Sequence, residues 1–213
     1  AEYDGIIATG YGRALFEVEH DAPTVTEIKA HARGAREWFP GARAVLDIGG
    51  QDSKAIALAA DGRVGKFEMN DRCAAVTGKF LEVMARTLNF TLDELGEAAL
   101  DAERDLAISS MCTVFAESEV TSLIARGADR REIARGLLLS VVRRVAVLLD
   151  RAAPEGDVVF TGGGARNRGL RELLAAQTRR TVLAAETPEY AGALGAALLA
   201  RESDGTRRSC PAP

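Results

Sequence analysis

The amino-acid sequence predicts an α/β fold. Short apolar runs rich in β-branched residues alternate along the chain with segments in which apolar residues recur every three or four positions. Glycine-rich turns separate several of these segments. With 213 residues, of which 47% are apolar and 27% charged, the chain can bury a sizeable core as one domain or two small ones.

The strands follow from short apolar runs that are bounded by turn residues. The first run ends in the turn TGYGR, and the turn at Asp61, Gly62 and Arg63 joins two later runs. Three strands in quick succession before residue 70 predict an antiparallel meander, and the two strands in the last third each precede a helix. The predicted strands cover residues 5–9, 44–48, 53–59, 64–68, 158–161 and 181–184.

The helices follow from apolar periodicity and from residues that favour helix ends. Pro40 and Gly41 end the first helix, and Thr91 with Glu94 three residues later predicts an N-terminal capping pair. The polar segment after the last helix contains Pro211 and predicts disorder. The predicted helices cover residues 24–38, a segment from residue 74 onward, 91–98, 117–126, 130–151, 168–177 and 190–201.

Composition and charge exclude several classes of partner. The formal net charge is −4, which gives no general attraction to nucleic acid or to an anionic membrane. The longest apolar runs, 137–142 and 145–149, fall short of the roughly 20 residues that span a bilayer. The start of the chain has no signal-peptide pattern, and three cysteines argue against a disulfide framework. We expect a soluble, cytoplasmic protein that binds neither nucleic acid nor membrane.

The motif DIGGQDSK has the residues of a phosphate site. It follows a predicted strand and opens a hairpin, so Gly49 and Gly50 allow the backbone to approach a phosphate. Asp47 and Asp52 then face the magnesium ion that accompanies the phosphate, because carboxylate oxygens are preferred Mg²⁺ ligands. Taken alone, the motif fits a tight turn equally well.

A second glycine-rich motif, TGGGARN, follows the strand predicted at 158–161. Its glycines allow an adenosine to lie close to the chain, and the amides of the helix that follows attract anionic oxygen. A tight turn is again the alternative, but the two motifs together favour a nucleotide. The candidate residues in this motif are Gly162, Gly163, Gly164 and Asn167.

Two cysteines lie between the glycine-rich motifs, Cys73 in NDRCAA and Cys112 in SSMCTV. Thiolates are soft ligands that suit iron. Cys73 lies where a helix is predicted to begin, and helix amides favour thiolate over thiol. The alternative is that each cysteine is a small buried hydrophobe. The motif context favours a metal site, whereas Cys210 in the polar tail is a bystander.

The order of the elements resembles the second lobe of the actin-like (ribonuclease H-like) ATPases. More specifically, residues 5–200 resemble the BadF/BadG/BcrA/BcrD type of ATPase, which includes the activators of 2-hydroxyacyl-CoA dehydratases and the ATP-hydrolysing subunits of benzoyl-CoA reductase. The resemblance implies a first-lobe remnant at 1–42, a second lobe at 43–200 and a disordered tail at 201–213. The stretches that carry it are ATGYGR, VLDIGGQDSK, MNDRCAA, SSMCTVFAESEV and VVFTGGGARN.

The resemblance also implies an activity. In that family two cysteines from each of two subunits hold one [4Fe-4S] cluster, and ATP hydrolysis drives an electron to a partner enzyme. Cys73 and Cys112 match these cysteines, and two thiolates per chain require a second chain to complete a set of four. The implied partners are a second copy or a related ATPase subunit, a ferredoxin or flavodoxin as donor, and a CoA-ester dehydratase or reductase core as acceptor.

For ATP hydrolysis the resemblance and the motif chemistry suggest roles for individual residues. Asp47 and Asp52 face Mg²⁺, Gln51 orients the water, and Ser53 joins the loop glycines in binding ATP or ADP. Closure of the cleft on ATP would turn the helices that follow Cys73 and Cys112. The other polar residues have no assigned role: we expect Lys54 to point to solvent and both histidines, His20 and His31, to lie on the surface.

Two departures from the family pattern stand out. No first phosphate loop of the type GIDxGSxxxK precedes Tyr3, so the chain is expected to be either a fragment or a subunit that cannot hydrolyse ATP unaided. The stretch that usually reads CAAGTG here reads CAAVTG, and Val76 is expected to alter packing beside the cluster or to restrict a positive φ.

The alternative functions are an N-acetylhexosamine-type kinase of the same superfamily and a non-hydrolysing scaffold that carries the cluster.

Overall fold

The computed structural model describes residues 5–109 and 112–208. Within these residues the strands form one five-stranded sheet in the order β3-β2-β1-β4-β5. β1, β2 and β3 pair antiparallel, whereas β4 is parallel to both β1 and β5. The predicted α/β class and the antiparallel meander are therefore confirmed. The strands are β1 Ala44–Ile48, β2 Ser53–Leu58, β3 Val64–Asn70, β4 Val158–Thr161 and β5 Val182–Leu183.

The helices cover both faces of the sheet. At the start of α4, Thr91 Oγ1 accepts a hydrogen bond from Glu94 N at 3.2 Å and Glu94 Oε2 accepts one from Thr91 N at 2.7 Å, so the predicted capping pair is confirmed. Over the described residues, no helix is both long enough and apolar enough to span a bilayer. The α-helices are α1 Arg13–His20, α2 Glu27–Trp38, α3 Gly78–Thr87, α4 Leu92–Leu100, α5 Thr113–Ala125, α6 Arg130–Ala152, α7 Arg168–Thr178 and α8 Ala191–Arg208.

The N-terminal segment differs from its prediction. The strand predicted at residues 5–9 is wrong, because in the described part of this segment Ala8 makes only an isolated parallel bridge to Thr24. Residues 5–10 are exposed or half-buried, so this apolar run is not packed between two layers. Helix α1, which follows it and was not predicted, buries none of its residues.

Several helix boundaries also differ, and α5, for example, begins at Thr113 rather than at residue 117. After Cys73 the chain makes only a short 3-10 turn, Ala74–Val76, and α3 begins at Gly78, where Thr77 Oγ1 caps the amide of Phe80 at 3.5 Å. Helix α8 continues to Arg208, past residue 201 where the disordered tail was predicted to start. Cys210 and Pro211 lie outside the described residues, as do Ser110 and Met111.

The sheet separates two apolar clusters, because alternate residues of a strand point to opposite faces. Leu46 and Phe160 belong to the larger cluster, which packs under α6. Val45, Ile56 and Val159 belong to the smaller cluster, which packs against α2. Three polar residues lie two positions away from these apolar ones on the same strands, so they also face α2. They are Asp47, Lys54 and Thr161.

Helix α8 returns to cross α2 at very close range. A Cβ atom at Gly34 would lie 2.0 Å from Ala191 O, and one at Gly195 would lie 1.8 Å from Ala30 O. Glycine is therefore required at both positions, because the two backbones touch without a layer of side chains between them. This crossing holds α2 over the end of the sheet that carries Asp47.

Candidate functional site

Strand register places the first site residues side by side. Asp47 on β1 is paired with Lys54 on β2 and with Thr161 on β4, so the three side chains lie together on the face that packs against α2. All three are buried, with exposed fractions of 2% for Asp47, 1% for Lys54 and 0% for Thr161. A row of buried polar groups needs internal partners, because an unpaired buried charge is costly.

Lys54 is the centre of a buried ion-pair cluster. Its Nζ atom lies 2.6 Å from Asp52 Oδ1 and 3.4 Å from Asp47 Oδ2. Glu27 on α2 reaches the same ammonium, with Oε2 at 3.2 Å. Burial lowers the pKa of the Lys54 ammonium, but the neighbouring carboxylates of Asp47, Asp52 and Glu27 outweigh it and hold the pKa well above its ordinary value. The prediction that Lys54 points to solvent is wrong, because α2 covers this face of β2.

His31 extends the cluster on its other side. Its Nδ1 atom lies 3.3 Å from Asp47 Oδ1 and 3.0 Å from Thr161 Oγ1. The Thr161 hydroxyl is in turn 3.2 Å from Asp47 Oδ1. The prediction of a surface histidine is wrong for His31, which is buried under α8, where a Cβ atom at Gly192 would lie 2.9 Å from the imidazole Nε2. The side chain of His20 is 54% exposed, in agreement with its prediction.

The loop between β1 and β2 is fixed by backbone hydrogen bonds. Gly49 N donates to Asp52 O at 3.0 Å, which closes the turn of the hairpin. The first amides of α3 then hold the loop from outside: Gly78 N donates to Gly49 O at 2.8 Å and Lys79 N donates to Gly50 O at 3.1 Å. The loop predicted to approach a phosphate is therefore held rigidly between β1 and α3.

The second glycine motif passes directly against the first. Gly162 has φ +79°, and a Cβ atom there would lie 2.5 Å from both Asp47 Oδ1 and Ile48 O. A Cβ at Gly164 would lie 2.8 Å from Ile48 Cβ, whereas one at Gly163 would meet nothing within 4 Å. Gly162 therefore provides the left-handed backbone and the close approach that the turn requires, while Gly163 faces open space.

The two motifs enclose a cleft with two adjoining chambers, each about 350 Å³, and Gly49, Gly50 and Gly163 line both. We call the chamber next to the Lys54 cluster the inner chamber. Its other lining residues are Tyr11, Glu27, His31, Asp47, Gln51, Asp52, Lys54, Gly162 and Glu189. We call the second one the outer chamber. Its other lining residues are Gly78, Leu81, Glu82, Thr91, Leu92, Asp93, Gly164, Arg166 and Asn167.

Two of the predicted nucleotide-binding residues, Ser53 and Asn167, make hydrogen bonds within the chain. Ser53 is fully buried outside the lining of both chambers, and its hydroxyl donates to Val76 O. Asn167 lines the outer chamber, but its Oδ1 caps α7 by accepting from Leu170 N at 2.9 Å and its Nδ2 donates to Leu92 O at 2.7 Å. These side chains hold the walls of the cleft together.

Several lining residues were not assigned from the sequence. Glu27 and His31 are four positions apart, so they share one face of α2, and this spacing was the available signal. Tyr11 stands in the motif ATGYGR, and its hydroxyl donates to Asp52 Oδ2 at 3.2 Å. Partial desolvation and the Asp52 carboxylate raise the pKa of the Tyr11 hydroxyl. No sequence pattern singled out Glu189.

The inner chamber carries an excess of carboxylates. Glu189 Oε1 accepts from Arg166 at 2.7 Å, while its Oε2 is buried and has no hydrogen-bond partner among the described residues. Oxygen donors from Asp47, Asp52 and Glu189 are the hard ligands that Mg²⁺ takes, usually together with phosphate oxygens. Among the described residues no three such side chains could hold a metal ion by themselves. The inner chamber therefore fits a magnesium ion that is held by one or two carboxylates together with phosphate oxygens.

Both cysteines between the motifs are free thiols on the surface. Cys73 precedes the turn that leads into α3, and Cys112 is the N-cap residue of α5, which packs against α3. The alternative in which each is a small buried hydrophobe is wrong, because both are exposed. In the part of the chain that the structure describes, no group of three or more His, Cys, Asp or Glu side chains could hold a metal ion.

The surroundings of the cysteines fit a cluster shared between chains. Val114 and Phe115 are each 67% exposed although they are apolar. Beside Cys112, the hydroxyl of Thr113 is buried and has no hydrogen-bond partner among the described residues. Hydrogen bonds to the sulfurs adjust the reduction potential of iron-sulfur clusters, and exposed thiols are accessible to a second protein chain.

Val76 is buried in the core with a φ that is not positive, so it imposes no backbone strain of the expected kind on the turn.

Two activators of CoA-ester dehydratases are similar to this chain in sequence. The activator of lactoyl-CoA dehydratase from Anaerotignum propionicum is 48% identical over 197 residues, which cover 92% of this chain and 75% of the relative. The (R)-2-hydroxyglutaryl-CoA dehydratase activating ATPase from Acidaminococcus fermentans is 44% identical over 194 residues, covering 91% of this chain and 74% of the relative.

The fold has solved counterparts. The activator of 2-hydroxyisocaproyl-CoA dehydratase from Clostridium difficile, solved with bound ADPNP, superposes with a TM-score of 0.91 at 39% identity and covers 100% of this chain and 80% of that chain. The sequence profile of the BadF/BadG/BcrA/BcrD ATPase family matches residues 1–200. With these matches the resemblance drawn from the motifs is confirmed, and the chain belongs to the BadF/BadG/BcrA/BcrD ATPase family.

Proposed function

We propose that this chain is an ATPase subunit that delivers a low-potential electron to a CoA-ester dehydratase or a benzoyl-CoA reductase. The electron comes from a [4Fe-4S] cluster held jointly by Cys73 and Cys112 of two chains. One observation supports this proposal above the others: two exposed free thiols lie on the same chain as a rigid glycine-lined cleft with buried carboxylates.

The cleft suits ATP or ADP in one orientation. The inner chamber, with its charged groups, would take the phosphates, and the glycines that line both chambers allow the backbone to approach them closely. The outer chamber is lined in part by Leu81 and Leu92, which suit the apolar faces of an adenosine. Because the outer chamber lies beside the start of α3, a nucleotide bound there would lie next to the segment that follows Cys73.

Asp47 and Asp52 would hold the magnesium ion, which neutralises phosphate charge when it is bound. Gln51 lines the inner chamber at the tip of the β1–β2 loop and would orient the attacking water. The hydrogen bonds from α3 to the loop then connect phosphate binding to the segment between Cys73 and α3. Nucleotide turnover would reach the sulfur ligands along this short path.

The surface that carries Cys73 and Cys112, which we call the cysteine surface, requires a second chain, because two thiolates are half of the usual ligand set. The partner would be a second copy or a related ATPase subunit. A ferredoxin or flavodoxin would supply the electron, and a CoA-ester enzyme would accept it. The similarity to activators of CoA-ester dehydratases favours a dehydratase as the acceptor.

The test is anaerobic purification of the wild type with iron and sulfide reconstitution. We expect a brown, oxygen-sensitive dimer with about four irons per two chains, as ligation by four thiolates implies. Cys73→Ser and Cys112→Ser should each abolish the visible charge-transfer bands and the iron content, whereas the matched control Cys210→Ser should keep both. A colourless wild type that consumes ATP only when an amino sugar is added would instead support the kinase, and a brown dimer without ATP turnover would support the scaffold.

A further inference from the structure

We propose that Lys54 is a positioning residue that makes metal binding depend on the nucleotide. Its ammonium occupies the space between the carboxylates that would hold Mg²⁺, so these carboxylates accept a divalent ion only together with phosphate. This inference rests on the proposed ATPase function, since it concerns the order in which that site is filled.

The geometry leaves the carboxylates little capacity for a free ion. On Asp47, Oδ2 lies 3.4 Å from Lys54 Nζ and Oδ1 lies 3.2 Å from the Thr161 hydroxyl. On Asp52, Oδ1 lies 2.6 Å from Lys54 Nζ and Oδ2 accepts from the Tyr11 hydroxyl at 3.2 Å. Each of these oxygens already has a positive or donating neighbour. A magnesium ion, which demands oxygen at about 2.0–2.1 Å in octahedral geometry, would have to displace one of them.

Nucleotide phosphates change this balance. They bring anionic oxygens that complete the coordination shell of the metal, and they attract the Lys54 ammonium at the same time. The Lys54 ammonium lies within 3.4 Å of a carboxylate oxygen of Glu27, Asp47 and Asp52, so a phosphate that enters the chamber competes with all three for it. With one positive charge against Glu27, Asp47 and Asp52, the cluster carries a net charge of about −2, which disfavours a bare triphosphate and favours a metal-bound one.

A purely structural ion pair predicts a different response to removal of the charge. If Lys54 only held α2 against β2, its loss would lower stability without creating a metal site. If Lys54 competes with the metal, its loss leaves the carboxylates of Asp47 and Asp52, the two proposed ligands, without their cation. These hard oxygen donors would then bind a divalent ion without nucleotide.

The experiment titrates the full, cluster-loaded chain with Mn²⁺ alone and follows free Mn²⁺ by electron paramagnetic resonance. For Lys54→Met we expect nucleotide-free Mn²⁺ binding about tenfold or more tighter than in the wild type, as removal of a competing unit charge implies. Lys54→Arg keeps the charge and should behave as the wild type. The double variant Lys54→Met with Asp47→Asn should lose the gain, which assigns the bound ion to the inner chamber.

Equal Mn²⁺ affinity in folded Lys54→Met and wild type would overturn the inference. If Lys54→Met does not fold, the wild type decides: tight stoichiometric Mn²⁺ binding without nucleotide overturns the inference, and tight binding that appears only with ADP supports it. A parallel measurement of Mg-ATP binding and turnover keeps the two proposals apart. An absent response to Mg-ATP would refute the ATPase, whereas an unchanged Mn²⁺ affinity would refute only the role of Lys54.

Discussion

The inner chamber and the cysteine surface differ in how their reactive groups are partnered. In the inner chamber, charged side chains from distant parts of the chain form ion pairs with each other. On the cysteine surface the thiols are free and exposed. Lys54 contacts carboxylates from both α2 and the β1–β2 hairpin. Cys73 and Cys112 are free and exposed, and Phe115, three positions after Cys112 on α5, is 67% exposed. One region has its partners within the chain, and the other presents groups that a second chain can meet.

This difference separates the two halves of the proposed activity. Nucleotide binding should depend on the fold of a single chain, because all the residues that line the two chambers belong to that chain. Iron binding should depend on the encounter of two chains and therefore on protein concentration. Substitutions that disturb one region and leave the other intact test this separation, and the four below are ordered by the size of the expected effect.

The largest effect is expected for Gly162→Ala. The new Cβ atom would lie 2.5 Å from Ile48 O at a residue with φ +79°, so both overpacking and backbone strain apply. We expect a loss of about 3 kcal/mol in the free energy of unfolding, together with loss of ADP binding. Urea unfolding and a nucleotide titration measure the two effects. Gly163→Ala is the control, since its Cβ meets nothing within 4 Å, and it should retain wild-type stability. A Gly162→Ala protein of wild-type stability would contradict this account.

Phe115→Asp should affect the cysteine surface alone. Phe115 lies three positions after Cys112, on the same side of α5, and its exposure means that an aspartate costs the monomer little. We expect the dimer to weaken about 30-fold, as loss of a central aromatic contact implies, and iron content to fall with it. Analytical ultracentrifugation and iron analysis measure this result. Leu15→Asp on α1, which is 65% exposed, is the matched control. An unchanged dimer would place the interface elsewhere.

Gly195→Ala should weaken nucleotide binding from a distance. An alanine in a helix normally stabilises it, but here the Cβ would lie 1.8 Å from Ala30 O. We expect a loss of about 2 kcal/mol in stability and weaker ADP binding, because α2 would shift and carry Glu27 with it. Gly41→Ala, which meets nothing within 4 Å, is the control. If the folded variant keeps its iron per dimer, the result supports the independence of the cysteine surface from the inner chamber. If the variant is more stable than the wild type, the close crossing of α2 and α8 is refuted.

The smallest effect is expected for Thr91→Ala at the rim of the outer chamber. It removes the hydroxyl that caps Glu94 N at 3.2 Å, which costs about 1 kcal/mol in stability. Since α4 begins at the chamber wall, ADP affinity should fall by a few-fold while iron content stays constant. Asp129→Ala removes the cap of α6, which is not part of the chamber lining, and should leave ADP affinity unchanged. If Thr91→Ala and Asp129→Ala bind ADP with equal affinity, the start of α4 is not part of the nucleotide site.

Local sequence patterns predicted much of this architecture. The strands at 44–48 and 158–161 have the predicted bounds, because their apolar runs are closed by turn residues. The Thr91 and Glu94 pair also depends only on neighbouring residues. Helix α1 escaped prediction because its eight residues are fewer than the roughly 11–18 over which helical periodicity can be recognised.

Burial of the polar cluster could not be predicted in the same way. Whether Lys54 meets solvent depends on α2 covering the sheet, which is a property of tertiary packing. Lys54 lies on the same strand face as the buried Ile56, and His31 lies on the same helix face as Glu27. These positions indicate that Lys54 and His31 are buried only when it is known that helices cover both faces of the sheet. The roles of Gln51 and of the cluster cysteines stay predictions.

The close crossing of α2 and α8 has a consequence for how a change at the nucleotide would be felt elsewhere. At Gly34 and Gly195 no side chains lie between the two helices that could change conformation when one helix moves. When α2 moves with Glu27 or His31, α8 must therefore move by nearly the same distance. A spectroscopic label on the outer side of α8 would thus report the state of the chamber from its far side.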